Sequence, residues 1–120
     1  MTTNTVRFIV SFAIDEGKLG AFEDVAVLMT ADTRKEPGTL AYEWCLSPDR
    51  QRCRLFEAYT DADAVLAHLT GPVVQTLVPR LLETSKVSGF EVYGNPGPAA
   101  AELLAGLGAE IFQPWQGFSR

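Results

Sequence analysis

The chain has little of what metal sites and structural disulfides require. It contains one histidine and two cysteines in 120 residues. A structural zinc site uses a full set of cysteine and histidine ligands, and no ligand spacing of that kind occurs in the sequence. A phosphate-binding glycine loop and a Gly-x-Ser-x-Gly nucleophile turn are also absent from it. We therefore predict a protein that has no metal site and works without a cofactor.

Positive charge is also scarce. Ten Lys and Arg residues stand against fifteen Asp and Glu residues, for a net charge of −5. Nucleic-acid phosphates favour a basic surface, which excludes nucleic acid as the expected partner. No apolar run reaches the length of a membrane span, and the first residues, MTTNTVRF, lack the basic start and apolar core of a signal peptide. These absences predict a cytoplasmic protein, not bound to a membrane, in which both cysteines are free thiols.

Hydrophobic periodicity predicts six elements in the order β-α-β-β-α-β. The strands are expected at 6–14, 39–46, 53–59 and 86–94. The first helix is expected to be capped by Asp15 and to end near Thr33. The second is expected to run from about Asp61 to Leu82, with breaks at Gly71-Pro72 and Pro79. This order is the split βαβ pattern of ferredoxin-like α+β folds with an antiparallel sheet. Helices cover one sheet face only, so the apolar second face predicts a homodimer.

Residues 95–120 are predicted to form an extension of a domain spanning residues 1–94. Pro98 suits the first turn of a short helix, and the segment AEIFQ suits a short strand. The last residues carry Trp115 and Phe118, whose apolar area favours packing on the core or on a partner subunit.

His68 is the first candidate for chemistry. It lies on the second predicted helix, where Val65, Leu66 and Leu69 form the apolar stripe, and its spacing places it at the border of that stripe. Histidine titrates close to neutral pH and is a common proton acceptor. The alternative is a partly exposed imidazole that caps a carbonyl near Gly71. A border position predicts that replacing His68 has little effect on folding.

Glu57 is an acid in an otherwise apolar strand. A buried carboxyl group must be paired or protonated. It could orient a ligand or His68, or it could form a salt bridge to an arginine such as Arg54 or Arg80.

Three aromatic residues are candidates for binding a flat ligand. Tyr42, Trp44 and Tyr59 each offer a ring for stacking and one polar group, but they also suit the core or a subunit interface. If the two cysteines face each other across the hairpin, Tyr42 and Trp44 share one face while Glu57 and Tyr59 share the other. In that register these residues do not line a single pocket.

The segments EPGTLAYEW and RLFEAYTDADAVLAHLTGPV carry a family likeness. Over about residues 6–94 the chain resembles the antibiotic biosynthesis monooxygenase superfamily of dimeric α/β barrels. The resemblance implies a homodimer with facing sheets and a small-molecule pocket between helices and sheet. Some members oxidise phenols with molecular oxygen and no cofactor, some are isomerases, and one branch degrades haem. Many relatives have a second histidine in the stretch corresponding to residues 73–77, and this chain has none there, which disfavours haem.

Two functions follow as hypotheses. The first is a cofactor-independent monooxygenase acting on a small aromatic or polyphenolic substrate. In it His68 takes the proton, Tyr59 or Tyr42 holds the oxyanion, and Trp44 stacks on the ring. The alternative is a non-oxidative isomerase or a small-molecule binding protein on the same dimeric barrel.

Overall fold

The computed structural model describes residues 4–120 and contains a five-stranded sheet. The strands are β1 (Val6–Ile14), β2 (Thr39–Leu46), β3 (Arg52–Tyr59), β4 (Ser85–Tyr93) and β5 (Glu110–Phe112), in the spatial order β2-β3-β1-β4-β5. β1 pairs antiparallel with β3 and β4, and β2 pairs antiparallel with β3, whereas β5 is parallel to β4. The predicted ferredoxin-like α+β order is confirmed.

The helices lie on one face of this sheet. They are α1 (Leu19–Thr33), α2 (Ala62–Thr70), a π-helical turn (Val73–Leu77), α3 (Val78–Leu81) and α4 (Pro98–Gly106). The predicted breaks occur where expected: α2 stops before Gly71-Pro72, and Pro79 starts α3 in a first-turn position, where proline removes no helical hydrogen bond. Between residues 4 and 120, no helix is long and apolar enough to cross a membrane.

The predicted start of α1 is wrong. Lys18, not Asp15, occupies the N-cap position, and its side chain makes no capping hydrogen bond. The chain first makes a tight turn in which the Lys18 N–H donates to the Asp15 carbonyl over 3.0 Å and Gly17 takes φ +76°. That turn uses three residues, so the helix begins later than the capping pattern indicates.

The hydrophobic core lies between the helices and one sheet face. Its largest strand contribution comes from alternate residues of β1, with Phe8 and Phe12 almost fully buried. α1 contributes Phe22 and Met29, and the second half of the fold contributes further aliphatic residues: Val65, Leu69, Val73, Leu77 and Leu81. The opposite sheet face carries no helix, and Phe56 on it is 41% exposed.

The C-terminal residues extend the same layers. α4 buries Ala100 and Leu104, and β5 adds a strand beside β4. The last aromatics are not packed within the chain, since Trp115 is 89% and Phe118 80% exposed. The helix and the strand expected in this segment are both present, and the division into residues 1–94 and 95–120 stays a prediction.

Candidate functional site

The register of the β2–β3 hairpin decides which side chains meet. Tyr42 lies opposite Glu57, and Cys45 lies opposite Arg54, so the alternative in which the two cysteines face each other is wrong. The hairpin closes at Ser47, whose N–H donates to the Arg52 carbonyl over 2.9 Å. A shift of one residue in a strand pair moves every side chain to the other face. The observed register therefore puts Tyr42 and Glu57 on the same, helix-covered face.

His68 is buried at the centre of this face, with 3% of its surface exposed. Its Nδ1 lies 2.9 Å from Glu36 Oε1 and 3.1 Å from Glu36 Oε2. Two tyrosine rings cover its flanks, Tyr42 at 5.8 Å and Tyr59 at 5.4 Å between ring centroids. The alternative of a partly exposed imidazole that caps a carbonyl is therefore wrong. The expectation that a border position buries little of the ring is also wrong, because neighbours from β2, β3 and the loop before β2 enclose the imidazole.

Glu36 is the member of this cluster that sequence reasoning did not single out. It lies in the loop between α1 and β2, and its Oε1 also accepts a hydrogen bond from Thr39 Oγ1 over 2.9 Å. Gly38 allows this loop to approach α2, because a Cβ added there would lie only 2.5 Å from Ala64 Cβ. The Glu36-Pro37-Gly38 motif was the available signal, but it does not by itself reveal a partner 32 residues away.

Glu57 completes the buried polar cluster. It is 6% exposed, accepts a hydrogen bond from the Tyr59 hydroxyl, and has its Oε1 3.6 Å from His68 Nε2. It contacts His68, as one of the two alternatives predicted. The other alternative, a salt bridge to Arg54 or Arg80, is not formed among the described residues. Burial raises the pKa of Glu57, and the nearby His68 and the Tyr59 hydrogen bond lower it in part.

Both tyrosines of the cluster are held in the neutral form. Burial, followed by the charge of Glu57, raises the pKa of Tyr59 well above its ordinary value. Burial is also the main cause that raises the pKa of Tyr42, reinforced by Glu57 and Glu36 and opposed by the nearby Thr33 hydroxyl. At neutral pH these phenols are therefore hydrogen-bond donors and not bases.

Trp44 lies beside Tyr42 at the edge of the cluster. Its indole N–H donates to Thr30 Oγ1 over 2.9 Å, and its ring packs edge-on against Tyr42 at 5.8 Å. The structure thus brings together Tyr42, Tyr59, Glu57 and His68 with the added Glu36, while Trp44 contacts this group only through Tyr42.

The arrangement suits the storage and transfer of a proton. A carboxylate that accepts a hydrogen bond from one ring nitrogen of a histidine fixes the tautomer, so that the other nitrogen can accept a proton. Within residues 4–120 no group of three or more His, Cys, Asp or Glu side chains is arranged to hold a metal ion. A cavity of about 150 Å³ between α1 and β2 has Tyr42 in its wall.

Comparison with known proteins identifies the family. Residues 5–80, more than half of the chain, match the family described as antibiotic biosynthesis monooxygenase. The chain belongs to this family. The predicted resemblance to antibiotic biosynthesis monooxygenases is therefore confirmed.

Solved structures of this family and its neighbours share the fold. MupZ from Pseudomonas fluorescens is 26% identical, with a TM-score of 0.87 over 100% of this chain and 92% of MupZ. SnoaB, a cofactor-independent oxygenase from Streptomyces nogalater, is 20% identical, with a TM-score of 0.69 over 80% of this chain and 97% of SnoaB. A putative antibiotic biosynthesis monooxygenase from Caulobacter crescentus is 20% identical, with a TM-score of 0.67 over 75% and 88% of the two chains. No curated protein matches the sequence significantly.

Proposed function

We propose that the protein is a cofactor-independent monooxygenase that acts on a small aromatic or polyphenolic molecule, with His68 as the proton acceptor. The observation that carries this proposal is the buried pair of His68 and Glu36, with Nδ1 2.9 Å from the carboxylate. An Nδ1–H that donates to Glu36 leaves the lone pair of Nε2 for a substrate proton. The nearest carboxyl oxygen to Nε2, on Glu57, is 3.6 Å away, beyond an ordinary hydrogen bond.

The reaction uses the substrate itself as the reductant. Removal of a proton by His68 gives an electron-rich phenolate or carbanion, which passes one electron to triplet oxygen. The resulting radical pair combines to a peroxide, the proton returns from His68, and loss of water leaves a new carbonyl. Overall, one CH₂ group and one O₂ become one C=O group and one water.

The surroundings of His68 support the charge changes in these steps. Glu36 stabilises the imidazolium once the proton has moved, and the neutral hydroxyl of Tyr42 donates to the developing oxyanion. The Tyr59 hydroxyl donates to Glu57 and can serve the oxyanion only by releasing it. Trp44 supplies an aromatic wall beside Tyr42. Membership of a family named for monooxygenases and the fold shared with a cofactor-independent oxygenase add support.

Oxygen uptake with a panel of anthrones and hydroxylated naphthacenes tests the proposal. His68→Ala should lower turnover by about 10²-fold or more, the usual share of a general base. Activity must be expressed per folded molecule, since the imidazole is buried. Thr70→Ala, an exposed change on the same helix, is the matched control and should leave turnover intact. Full activity in folded His68→Ala would exclude this residue as the base.

We also propose that the protein works as a cytoplasmic homodimer. The uncovered sheet face, with Phe56 41% exposed, favours a second sheet as its cover. Sedimentation analysis should give a dimer at micromolar concentration. A stable monomer would contradict the proposed dimeric α/β barrel.

A second candidate is a non-oxidative isomerase. The observation that favours it is Glu57, a buried carboxyl group whose Oε1 lies 3.6 Å from His68 Nε2 and whose pKa is raised by burial. A base and an acid so close can take a proton from one carbon and return it to another without oxygen. Incorporation of deuterium from D₂O into a ketone substrate under anaerobic conditions would favour this reaction over oxygenation.

A further inference from the structure

A groove runs between α1 and the edge strand β2. Two adjoining cavities of about 150 and 410 Å³ form it, and both have Thr30 and Arg34 in their walls. The smaller cavity ends at Tyr42, whose ring contacts His68. The larger continues past Trp44 along α1.

The end of the groove near Tyr42 is polar. Thr33 is fully buried there, and its Oγ1 makes no hydrogen bond of acceptable geometry to any residue of the described chain, although it is close enough to Tyr42 to lower the pKa of that phenol. Burying an unsatisfied hydroxyl is costly. The Arg34 side chain is exposed at the same place, and within residues 4–120 no carboxylate forms an ion pair with it. The accessible donor without an ion-pair partner at this end is therefore the Arg34 guanidinium.

The rest of the groove is mainly apolar. Trp44 forms one wall, and Ala26, Val27 and Ala31 of α1 form the other. Glu23 lies in the wall of the larger cavity, away from Tyr42, and its charge disfavours an anion there. The groove therefore has a direction, with its anion-attracting end next to Tyr42.

We propose that this groove binds a small carboxylic acid with an apolar body. The carboxylate accepts hydrogen bonds from the exposed Arg34 guanidinium, and the apolar body lies against Trp44. Arginine suits this role because its planar donors match the two oxygens of a carboxylate. As a statement about the substrate this rests on the proposed function; as a binding site it stands alone.

Binding can be measured without turnover. The chain has two tryptophans, and Trp115→Phe leaves Trp44 as the sole fluorescent reporter on the groove wall. Phenylpropanoate and its neutral amide, phenylpropanamide, differ only in the group placed at Arg34. In this background the acid should bind roughly tenfold more tightly than the amide, as expected for charge-assisted hydrogen bonds.

Three variants then locate the preference for the acid. Arg34→Gln should abolish it, whereas Lys35→Gln, which removes the same charge from a neighbouring exposed residue paired with Asp32, should retain it. Thr33→Val should retain it as well, because the buried hydroxyl is out of reach of a molecule in the groove. Equal affinity for acid and amide, or an equal loss in Arg34→Gln and Lys35→Gln, would overturn the proposal. If Arg34→Gln loses the preference for the acid over the amide, the groove is supported as a binding site. That conclusion holds even if His68→Ala keeps full turnover, because full turnover in His68→Ala would contradict only the proposed reaction.

Discussion

Replacing His68 by alanine should destabilise the fold. The imidazole is 3% exposed, so its removal leaves a cavity, and it ends the hydrogen bond between Nδ1 and Glu36. A hydrogen bond to a charged group contributes about 1.5–3 kcal/mol. The low end applies here, because the Glu36 side chain is 22% exposed and water can replace the imidazole.

The cavity adds a comparable amount. Truncating a buried side chain to alanine costs about 2 kcal/mol or more, less what relaxation of the surroundings recovers. The combined loss should be roughly 2–4 kcal/mol at neutral pH. For a chain of this length that corresponds to a fall in melting temperature of about 10 °C.

Urea unfolding followed by circular dichroism measures this loss. His68→Gln retains a donor toward Glu36 and should fall between the native protein and His68→Ala. Thr70→Ala, exposed at the end of the same helix, should change stability by less than about 0.5 kcal/mol. A loss below about 1 kcal/mol in His68→Ala would refute the reasoning, since it would mean that neither the cavity nor the bond to Glu36 matters.

Two further expectations follow from the structure. Burial raises the folded-state pKa of Glu57 above its unfolded value, so its contribution to stability is complete at acid pH and is lost as pH rises through the folded pKa. Glu57→Gln should therefore become more stable relative to the native protein as pH rises from about 4.3, and unfolding curves showing a pH-independent difference would contradict this. Removal of residues 113–120, which carry the exposed Trp115 and Phe118, should weaken subunit association with little change in melting temperature; an unchanged dimer constant by sedimentation would show that these aromatics do not hold the partner.

The sequence was sufficient for the order of the elements, because alternation and helical spacing are local signals. It indicated Glu57 because an acid interrupts an apolar strand, and His68 because a histidine borders the apolar stripe of its helix. The contacts of His68 with Glu57 and Glu36 depend on two features that are not local. One is the hairpin register, which the closing contact at Ser47 selects, and the other is the loop before β2, which brings Glu36 to the imidazole.

The burial of His68 could not be inferred from its helix alone. Helical spacing describes the direction of a side chain relative to its own neighbours. It does not describe what lies opposite, and here the rings of Tyr42 and Tyr59 enclose a position that looks peripheral on α2.

The close approach at Gly38 has a consequence for engineering this protein. The loop that carries Glu36 and the helix that carries His68 touch at Gly38 and Ala64, with no room for a methyl group between them. This contact acts as a spacer that sets the distance between the acid and the imidazole. Small changes in side-chain volume at Gly38 or Ala64 therefore offer a way to alter the distance between Glu36 and His68 while every ionisable group remains in place.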